Sequence, residues 1–345
     1  LATTTSPLRI GTLGAARITV PALIEAAKHV PEVQLVAVAA RDAQVAQAYA
    51  RTHAIPKTHA SYEALLADPD IDAIYNPLPN SLHGTWSMRA MRAGKHVLCE
   101  KPFASNAAEA AQMAQVARET GRVISEAFAW RHHPIANAVR QVIHSGALGS
   151  VKHIHCEFRI PLVRPDIRWS YALAGGGLMD VGCYPVSWIR FLVGDVLGLG
   201  EPRVLHARAK SLTPQVDRFL DADLKAGDVS AKLVCAMLSP VPFAAYLTVT
   251  GEKGALRIDN PFHPQTRWVK HAVRASGFDI AQFPSLAGLS GVNSYVCQLR
   301  AFARAVRGDG PVITDATQAI ANMRLIDDIY LKVGLKLRGN PSIGM

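Results

Sequence analysis

Two short stretches carry residue types that could move a proton together. The first is Gly94-Lys95-His96-Val97-Leu98-Cys99-Glu100-Lys101-Pro102. Its apolar run Val97-Leu98-Cys99 suits a short buried strand, and Pro102, without an N–H, ends regular pairing directly after Glu100 and Lys101. The two charges therefore project from the carboxyl end of a strand, the edge where open parallel α/β sheets bind ligands. A lysine there can hold a substrate hydroxyl and ease removal of its proton. A solvated strand end accounts for the tetrapeptide equally simply. The second stretch runs Gly175-Gly176-Gly177-Leu178-Met179-Asp180-Val181-Gly182-Cys183-Tyr184. Three glycines permit a sharp turn or a close backbone approach to another group. A helix is predicted from about Asp180 through Trp188 to Leu192, ending at Gly194, which puts Asp180 and Tyr184 on one face. A phenol titrates near 10 in water, and a neighbouring ammonium brings it closer to working pH. A helix cap at Asp180 and a half-buried aromatic at Tyr184 would be the plain structural alternative.

The elements that must position these groups follow from the patterning. Leu8 to Ile18 reads as strand, tight turn and helix start, with the helix running from Val20 to His29. Gly14 is the one glycine at the turn, with Ala16 and Thr19 where a dinucleotide-binding motif would carry its second and third. A simple strand-to-helix turn accounts for these residues equally well. The strand Val33 to Ala40 ends in Arg41-Asp42, where the adenosine ribose of a dinucleotide would lie. An arginine there suits a 2′-phosphate, favouring NADP, with NAD as the alternative. Asp42 is better placed as the cap of the helix Ala43 to His53. Ile71 to Tyr75 is a third strand, leading into the proline-stiffened loop Asn76 to His83 and a helix over Gly84 to Ala93. The Lys101 strand, the helix Ala107 to Thr120 and Val123-Ile124-Ser125 complete a strand–helix alternation that implies a parallel sheet.

At Glu126 the texture becomes aromatic, basic and irregular, so domains are expected over residues 1–126 and 127–345. The second begins with a helix over Ile135 to Ser145. Strands are then expected over Val151 to Phe158, Val204 to Ala209, Val229 to Ala236, Ala244 to Thr250 and Ala255 to Ile258. They imply a mostly antiparallel sheet with helices on one face. Tyr295 to Val306 and Thr314 to Val333 are helical, and Asp259 to Gly291 reads as loops.

Composition limits the classes. With 345 residues, 49% hydrophobic and 19% charged, the chain is a folded two-domain protein rather than a disordered one. No apolar run approaches the roughly 18 residues of a membrane span. Leu1 to Pro7 lack the features of a secretory signal, and the start without Met leaves trimming of an upstream segment open. Five scattered cysteines without C-x-x-C spacing argue against a disulfide framework or zinc site and make a cytoplasmic setting the expectation. The net charge of +10 comes without basic runs or a nucleic-acid motif, so neither a nucleic acid nor a membrane is an expected partner.

Taken in order, Gly14-Ala15-Ala16-Arg17-Ile18, Arg41-Asp42, Pro79-Asn80-Ser81-Leu82-His83, Glu100-Lys101-Pro102 and Gly175 to Tyr184 resemble the Gfo/Idh/MocA oxidoreductases over nearly the whole chain. Tyr184, where many relatives carry histidine, points to the branch of dimeric trans-dihydrodiol dehydrogenases and D-xylose 1-dehydrogenases. Ala16 and Thr19 depart from the glycine pattern and leave the seating of the nucleotide open. The resemblance implies a Rossmann domain, doubly wound on a parallel sheet, and a C-terminal α+β domain with a large open, mostly antiparallel sheet. That sheet commonly joins subunits, implying a homodimer or homotetramer. It also implies NADP-dependent hydride transfer to or from a carbinol carbon of a pyranose sugar or cyclic diol, without a metal. Tyr184 would exchange the hydroxyl proton, Lys101 would bind the hydroxyl and tune Tyr184, and Asp180 would orient Tyr184 or the substrate. Gly14, Ala15, Ala16, Arg17 and Ile18 would cradle the pyrophosphate and Arg41 the 2′-phosphate. Leu78, Pro79, Asn80, His83 and Glu100 would line the path to the nicotinamide. Between the domains, Arg168 and Trp169 would stand on the cofactor side and Trp130 and Arg131 on the substrate side. His83 as a surface residue, and Trp130 and Trp169 as core residues, are the plain alternatives. A keto-sugar or sugar-nucleotide reductase and a non-catalytic NADP-binding regulator are the competing functions.

Overall fold

The structure, a computed structural model, describes residues 6–163, 165–241, 243–266 and 269–339. The chain forms two compact units, one of residues 1–132 with 295–320 and one of residues 133–294 with 321–345. The first unit thus extends past Glu126 and also takes back a late segment. The reason is apolar patterning: Leu299, Phe302 and Ala303 on the helix Ser294–Val306 join the buried cluster of Leu8, Ile10, Leu23, Val33, Tyr75 and Leu98. The backbone N–H of Glu126 also donates to the Thr314 carbonyl at 2.8 Å.

Six parallel strands build the first unit: β1 (Leu8–Leu13), β2 (Val33–Ala39), β3 (Lys57–His59), β4 (Ala73–Asn76), β5 (His96–Cys99) and β6 (Ile124–Glu126). Their order β3-β2-β1-β4-β5-β6 is the doubly wound Rossmann arrangement, with its switch point between β1 and β4. β3, Lys57-Thr58-His59, was not foreseen, since it carries no apolar residue to show a pattern. The helix expected over Val20 to His29 is instead a π turn, Val20–Ile24, followed by the short α-helix Glu25–Ala27. Asp42 caps Ala43–His53, accepting from the backbone N–H of Gln44 at 2.7 Å and of Val45 at 3.3 Å. Asn106 does the same for Ala107–Thr120, which Gly121 ends in the left-handed conformation.

The second unit carries seven strands: β7 (Val151–Arg159), β8 (Arg203–Thr213), β9 (Val216–Ala226), β10 (Val229–Ala236), β11 (Ala244–Gly251), β12 (Ala255–Asp259) and β13 (Ala272–Ser276). The order is β13-β12-β11-β7-β10-β9-β8, antiparallel except for the pair β7–β10. The alternation along β7 sorts its faces. Ile154, Cys156 and Phe158 point one way with the buried helical layer, while His153, His155 and Glu157 point the other. On that second face the Tyr246 hydroxyl donates to Glu157 at 2.7 Å, and Lys232 pairs with Asp221 at 2.7 Å. Two strands correct the sequence expectation. β9, rich in charge, pairs along its length with β10. The stretch Asp259 to Gly291, expected as loops, holds β13 paired with β12 and three 3-10 turns. No helix among the described residues is long and apolar enough to cross a membrane.

Candidate active site

In the first unit the expected cofactor residues gather at the carboxyl ends of the parallel strands. Gly14 follows β1 with φ +79°, and its N–H donates to the Ala39 carbonyl at 2.6 Å, tying the turn to the end of β2. A Cβ at Gly14 would lie 3.2 Å from Leu78 Cδ2 and 3.9 Å from the Tyr62 hydroxyl. The turn is held from outside as well: the Tyr49 hydroxyl donates to the Ala16 carbonyl at 3.1 Å, and the Thr19 N–H donates to the same oxygen at 3.1 Å. Ala15, Ala16 and Arg17 remain partly or fully exposed. Arg41 is exposed at the end of β2, beside Asp42, which is engaged as a helix cap.

The Lys101 stretch behaves as its sequence suggests. β5 ends at Cys99, and the Lys101–Pro102 peptide is cis. Glu100 turns inward: one carboxylate oxygen accepts from the Tyr75 hydroxyl at 2.6 Å, the other from the Lys101 N–H at 3.3 Å. Burial pushes its carboxyl above the ordinary range despite these bonds. Glu100 therefore braces the backbone that presents the half-buried Lys101. His83 is 1% exposed, its Nδ1 2.8 Å from the Pro102 carbonyl and its Nε2 2.7 Å from the Leu78 carbonyl. Two carbonyls favour the imidazolium, but burial outweighs them and lowers its pKa to about 4. A neutral ring has one N–H, so it donates to one of the two carbonyls and packs against the other. Pro79 and Asn80 open the 3-10 turn between Leu78 and His83. Trp130 is wholly buried in this unit, with the Arg131 guanidinium 5.5 Å from its ring centre.

In the second unit the glycine run is pinned by a buried ion pair absent from the sequence expectation. Asp217 accepts from the Leu178 N–H at 2.7 Å, the Tyr330 hydroxyl at 2.9 Å and Arg338 Nη2 at 3.0 Å. Arg338, itself wholly buried, donates through Nε to the Gly175 carbonyl at 2.7 Å. From this anchor the chain enters a π turn, Leu178–Gly182, then the α-helix Cys183–Arg190 and a second π turn, Phe191–Val196. Asp180 lies in the first π turn, where Arg168 Nε reaches its carboxylate at 3.2 Å while Arg168 Nη1 holds Asp166 at 3.2 Å. Trp169, 9% exposed, belongs to the neighbouring 3-10 turn. Tyr184 is packed edge-on against Phe158, ring centres 5.4 Å apart, and tilted against Phe262. Its hydroxyl lies 3.1 Å from His263 Nε2. His263 falls in the stretch expected to be loops. Its only sequence signal is the rigid-looking Asn260-Pro261-Phe262-His263-Pro264.

Comparisons with known proteins show the family. Residues 8–128 match the NAD-binding Rossmann domain of the Gfo/Idh/MocA oxidoreductase family, and residues 136–257 match its C-terminal domain. The chain is 35% identical to an NADP(+)-dependent D-xylose 1-dehydrogenase of Haloferax volcanii, over 94% of this chain and 96% of that protein. It is 32% identical to a trans-1,2-dihydrobenzene-1,2-diol dehydrogenase of Xenopus tropicalis, over 72% and 73%. Among solved structures, a 3-ketoreductase from Actinomadura kijaniata, in complex with NADP and TDP-benzene, superposes with a TM-score of 0.81. That match covers 95% of this chain and 98% of that one at 27% identity. With both of its domains matched and relatives aligned over most of its length, the chain belongs to the Gfo/Idh/MocA oxidoreductase family and carries an NAD(P)-binding Rossmann domain.

Proposed function

We propose that the protein is an NADP-dependent dehydrogenase acting on a carbinol carbon of a pyranose sugar or a cyclic vicinal diol. The observation that carries this reading is the setting of Tyr184. Its hydroxyl is fixed by His263, its ring is walled by Phe158 and Phe262, and an Asp180–Arg168 ion pair stands in the preceding turn. Aromatic walls suit the C–H faces of a sugar or an unsaturated diol ring, and paired charges suit its hydroxyls. The xylose and dihydrodiol dehydrogenases among the relatives support the same substrate class.

The cradle fits a dinucleotide. The positive φ at Gly14, and the crowding that any side chain there would meet from Leu78, keep the turn bare where a pyrophosphate approaches. Bound NADP supplies the hydride acceptor at its nicotinamide. In the proposed mechanism Gly14 to Ile18 bind the pyrophosphate and Arg41 the 2′-phosphate. Leu78, Pro79 and Asn80 border the nucleotide, with His83 and Glu100 holding the backbone behind them. Lys101 binds the alcohol oxygen and stabilises the negative charge that grows there. Tyr184 takes the alcohol proton, and Asp180 orients a neighbouring hydroxyl. Arg168 and Trp169 are the proposed cofactor contacts, and Trp130 and Arg131 the proposed substrate contacts. The seven-stranded sheet would join subunits into a homodimer or homotetramer through its polar, tyrosine-bearing face.

Turnover of NADP with a panel of pentoses, hexoses and cyclic diols tests the reading. Tyr184→Phe should cut kcat by about 10²- to 10⁴-fold, the range of a lost general acid–base group. Full activity in that variant would remove Tyr184 from the mechanism. A second reading, reduction of a keto sugar carried on a nucleotide, is favoured by the likeness to the 3-ketoreductase over 95% of the chain. It predicts faster NADPH oxidation with a nucleotide-linked ketosugar than NADP reduction with any free sugar.

A further inference from the structure

Among the residues not assigned above, His263 touches the phenol of Tyr184. His263 Nε2 lies 3.1 Å from the Tyr184 hydroxyl, with the two rings edge to face at 5.4 Å. The histidine is not on a free loop. Asn260, 3% exposed and at φ +51°, folds the chain back on itself, a conformation that asparagine tolerates better than most residues. Its side-chain Nδ2 donates to the His263 carbonyl at 2.6 Å and to Thr266 Oγ1 at 2.9 Å, and its N–H is held by the Ala245 carbonyl at 2.7 Å. Thr266 Oγ1 donates to the same His263 carbonyl at 2.8 Å. Phe262, stacked on Phe158 at 4.5 Å, fixes the turn from the other side. A turn locked at this many points presents the imidazole in one place.

We propose that His263 is a positioning and proton-relay residue for Tyr184, selecting whether the phenol faces the substrate as acceptor or as donor. This rests on the assignment of Tyr184 as the proton-exchanging group. The physical basis is that a phenol has a single proton. When Nε2 is bare, Tyr184 donates to His263 and turns a lone pair toward the substrate. As the alcohol proton passes to Tyr184, the phenolic proton passes to Nε2. The hydride would be taken up by NADP when bound, and the imidazolium releases its proton to water. When Nε2 carries hydrogen, it donates to Tyr184, whose own proton is free for the oxygen of a carbonyl being reduced. Oxidation therefore prefers the neutral imidazole and reduction the imidazolium.

Other charged groups on the surrounding elements are already paired or neutral. Asp180 is bound to Arg168, and Asp259, at the start of the turn, to Arg257 and Arg274. His271, beyond the turn, has its pKa lowered by burial. Phe158 and Phe262 bring no charge.

The test uses the NADP-loaded full chain with D-xylose as the probe alcohol. The wild-type kcat profile should fall on its acid side as the imidazole takes up a proton. His263→Phe, which keeps the ring packing, should lose on the order of tenfold in kcat and the acid limb with it, a smaller loss than for a direct acid–base group. His263→Gln, which keeps a hydrogen bond without titrating, should recover most of the rate but not the limb. Wild-type rate and profile in His263→Phe would overturn the proposal. A second measurement needs no turnover: the NMR titration of the His263 ring, with NADP bound, should shift its midpoint when Tyr184 is changed to Phe. An unmoved midpoint overturns the relay. Inactive Tyr184→Phe with an unmoved midpoint sinks the relay alone, whereas active Tyr184→Phe sinks the assignment of Tyr184 itself.

Discussion

The two glycine turns of this protein look alike in function and differ in what approaches them. The turn after β1 has one glycine, Gly14, with little of the protein's own matter over it: Leu78 at one side and the Tyr62 hydroxyl beyond. The run Gly175-Gly176-Gly177 has three, and they are filled. A Cβ on Gly176, at φ +136°, would be driven into the Asp217 carboxylate and would stand 2.8 Å from both Arg338 Nη2 and the Tyr330 hydroxyl. The richer glycine sequence is thus the one whose visitor is internal, a buried ion pair that fixes where the Asp180–Tyr184 segment begins. The poorer one, in the proposed function, is left for a ligand. Glycine count measures how close something comes, and says nothing of whether that something is a cofactor or the protein itself.

Substitutions can break or sharpen this contrast. The largest effect is expected at Gly176: alanine there should cost more than about 4 kcal/mol, the range in which a single change disrupts a core. It would show as a lowered unfolding midpoint with or without NADP, and an unchanged midpoint would mean that the Asp217–Arg338 pair does not fill the turn. Next comes acid. His83 sits between the Leu78 and Pro102 carbonyls, with its pKa lowered by burial from 6.5 to about 4. The unfolded chain takes up that proton first. Stability should therefore fall as pH drops from about 6.5 to about 4, by roughly 3 kcal/mol from this ring. Denaturant titrations of wild type and His83→Asn across that window would show a shallower fall in the variant.

Gly14→Ala should do less to stability, about 1–2 kcal/mol for the left-handed backbone. Its signature would be a loss of NADP affinity larger than its loss of stability, the reverse of Gly176→Ala; calorimetric titration compares the two. The smallest effect falls on Arg41→Ala, about a tenfold narrowing of the NADP-over-NAD ratio in kcat/KM, since a bond to a charged group contributes about 1.5–3 kcal/mol and the exposed site is screened by water. An unaltered ratio would assign the phosphate to another cation.

Much of the frame was legible because it is local. The cap at Asp42, the stop at Gly121, the strand before Lys101 and the alternation along β7 depend on neighbours within a few residues. What escaped depends on distance along the chain. β9 carries Asp217, Asp221 and Asp223, so its charge hid a strand that the register with β10 nonetheless holds. His263 lay in a stretch without periodicity, and only folding sets it against Tyr184, 79 residues away. Glu100 and His83 were foreseen at the cofactor path, and the structure shows them with their polar atoms turned to Tyr75, Leu78 and Pro102.

By itself the sequence determined the two kinds of sheet, the strand end that presents Lys101 and the family to which the chain belongs. Those follow from side-chain period, from proline and glycine at fixed offsets, and from ordered motifs. Only the tertiary structure decided what sits inside the glycine run, what holds the Tyr184 hydroxyl, and that a helix near the carboxyl end returns to the first unit. These are pairings between residues far apart in the chain, and a pairing has no imprint on either partner until burial makes an unpaired charge or an uncovered apolar face too costly to keep.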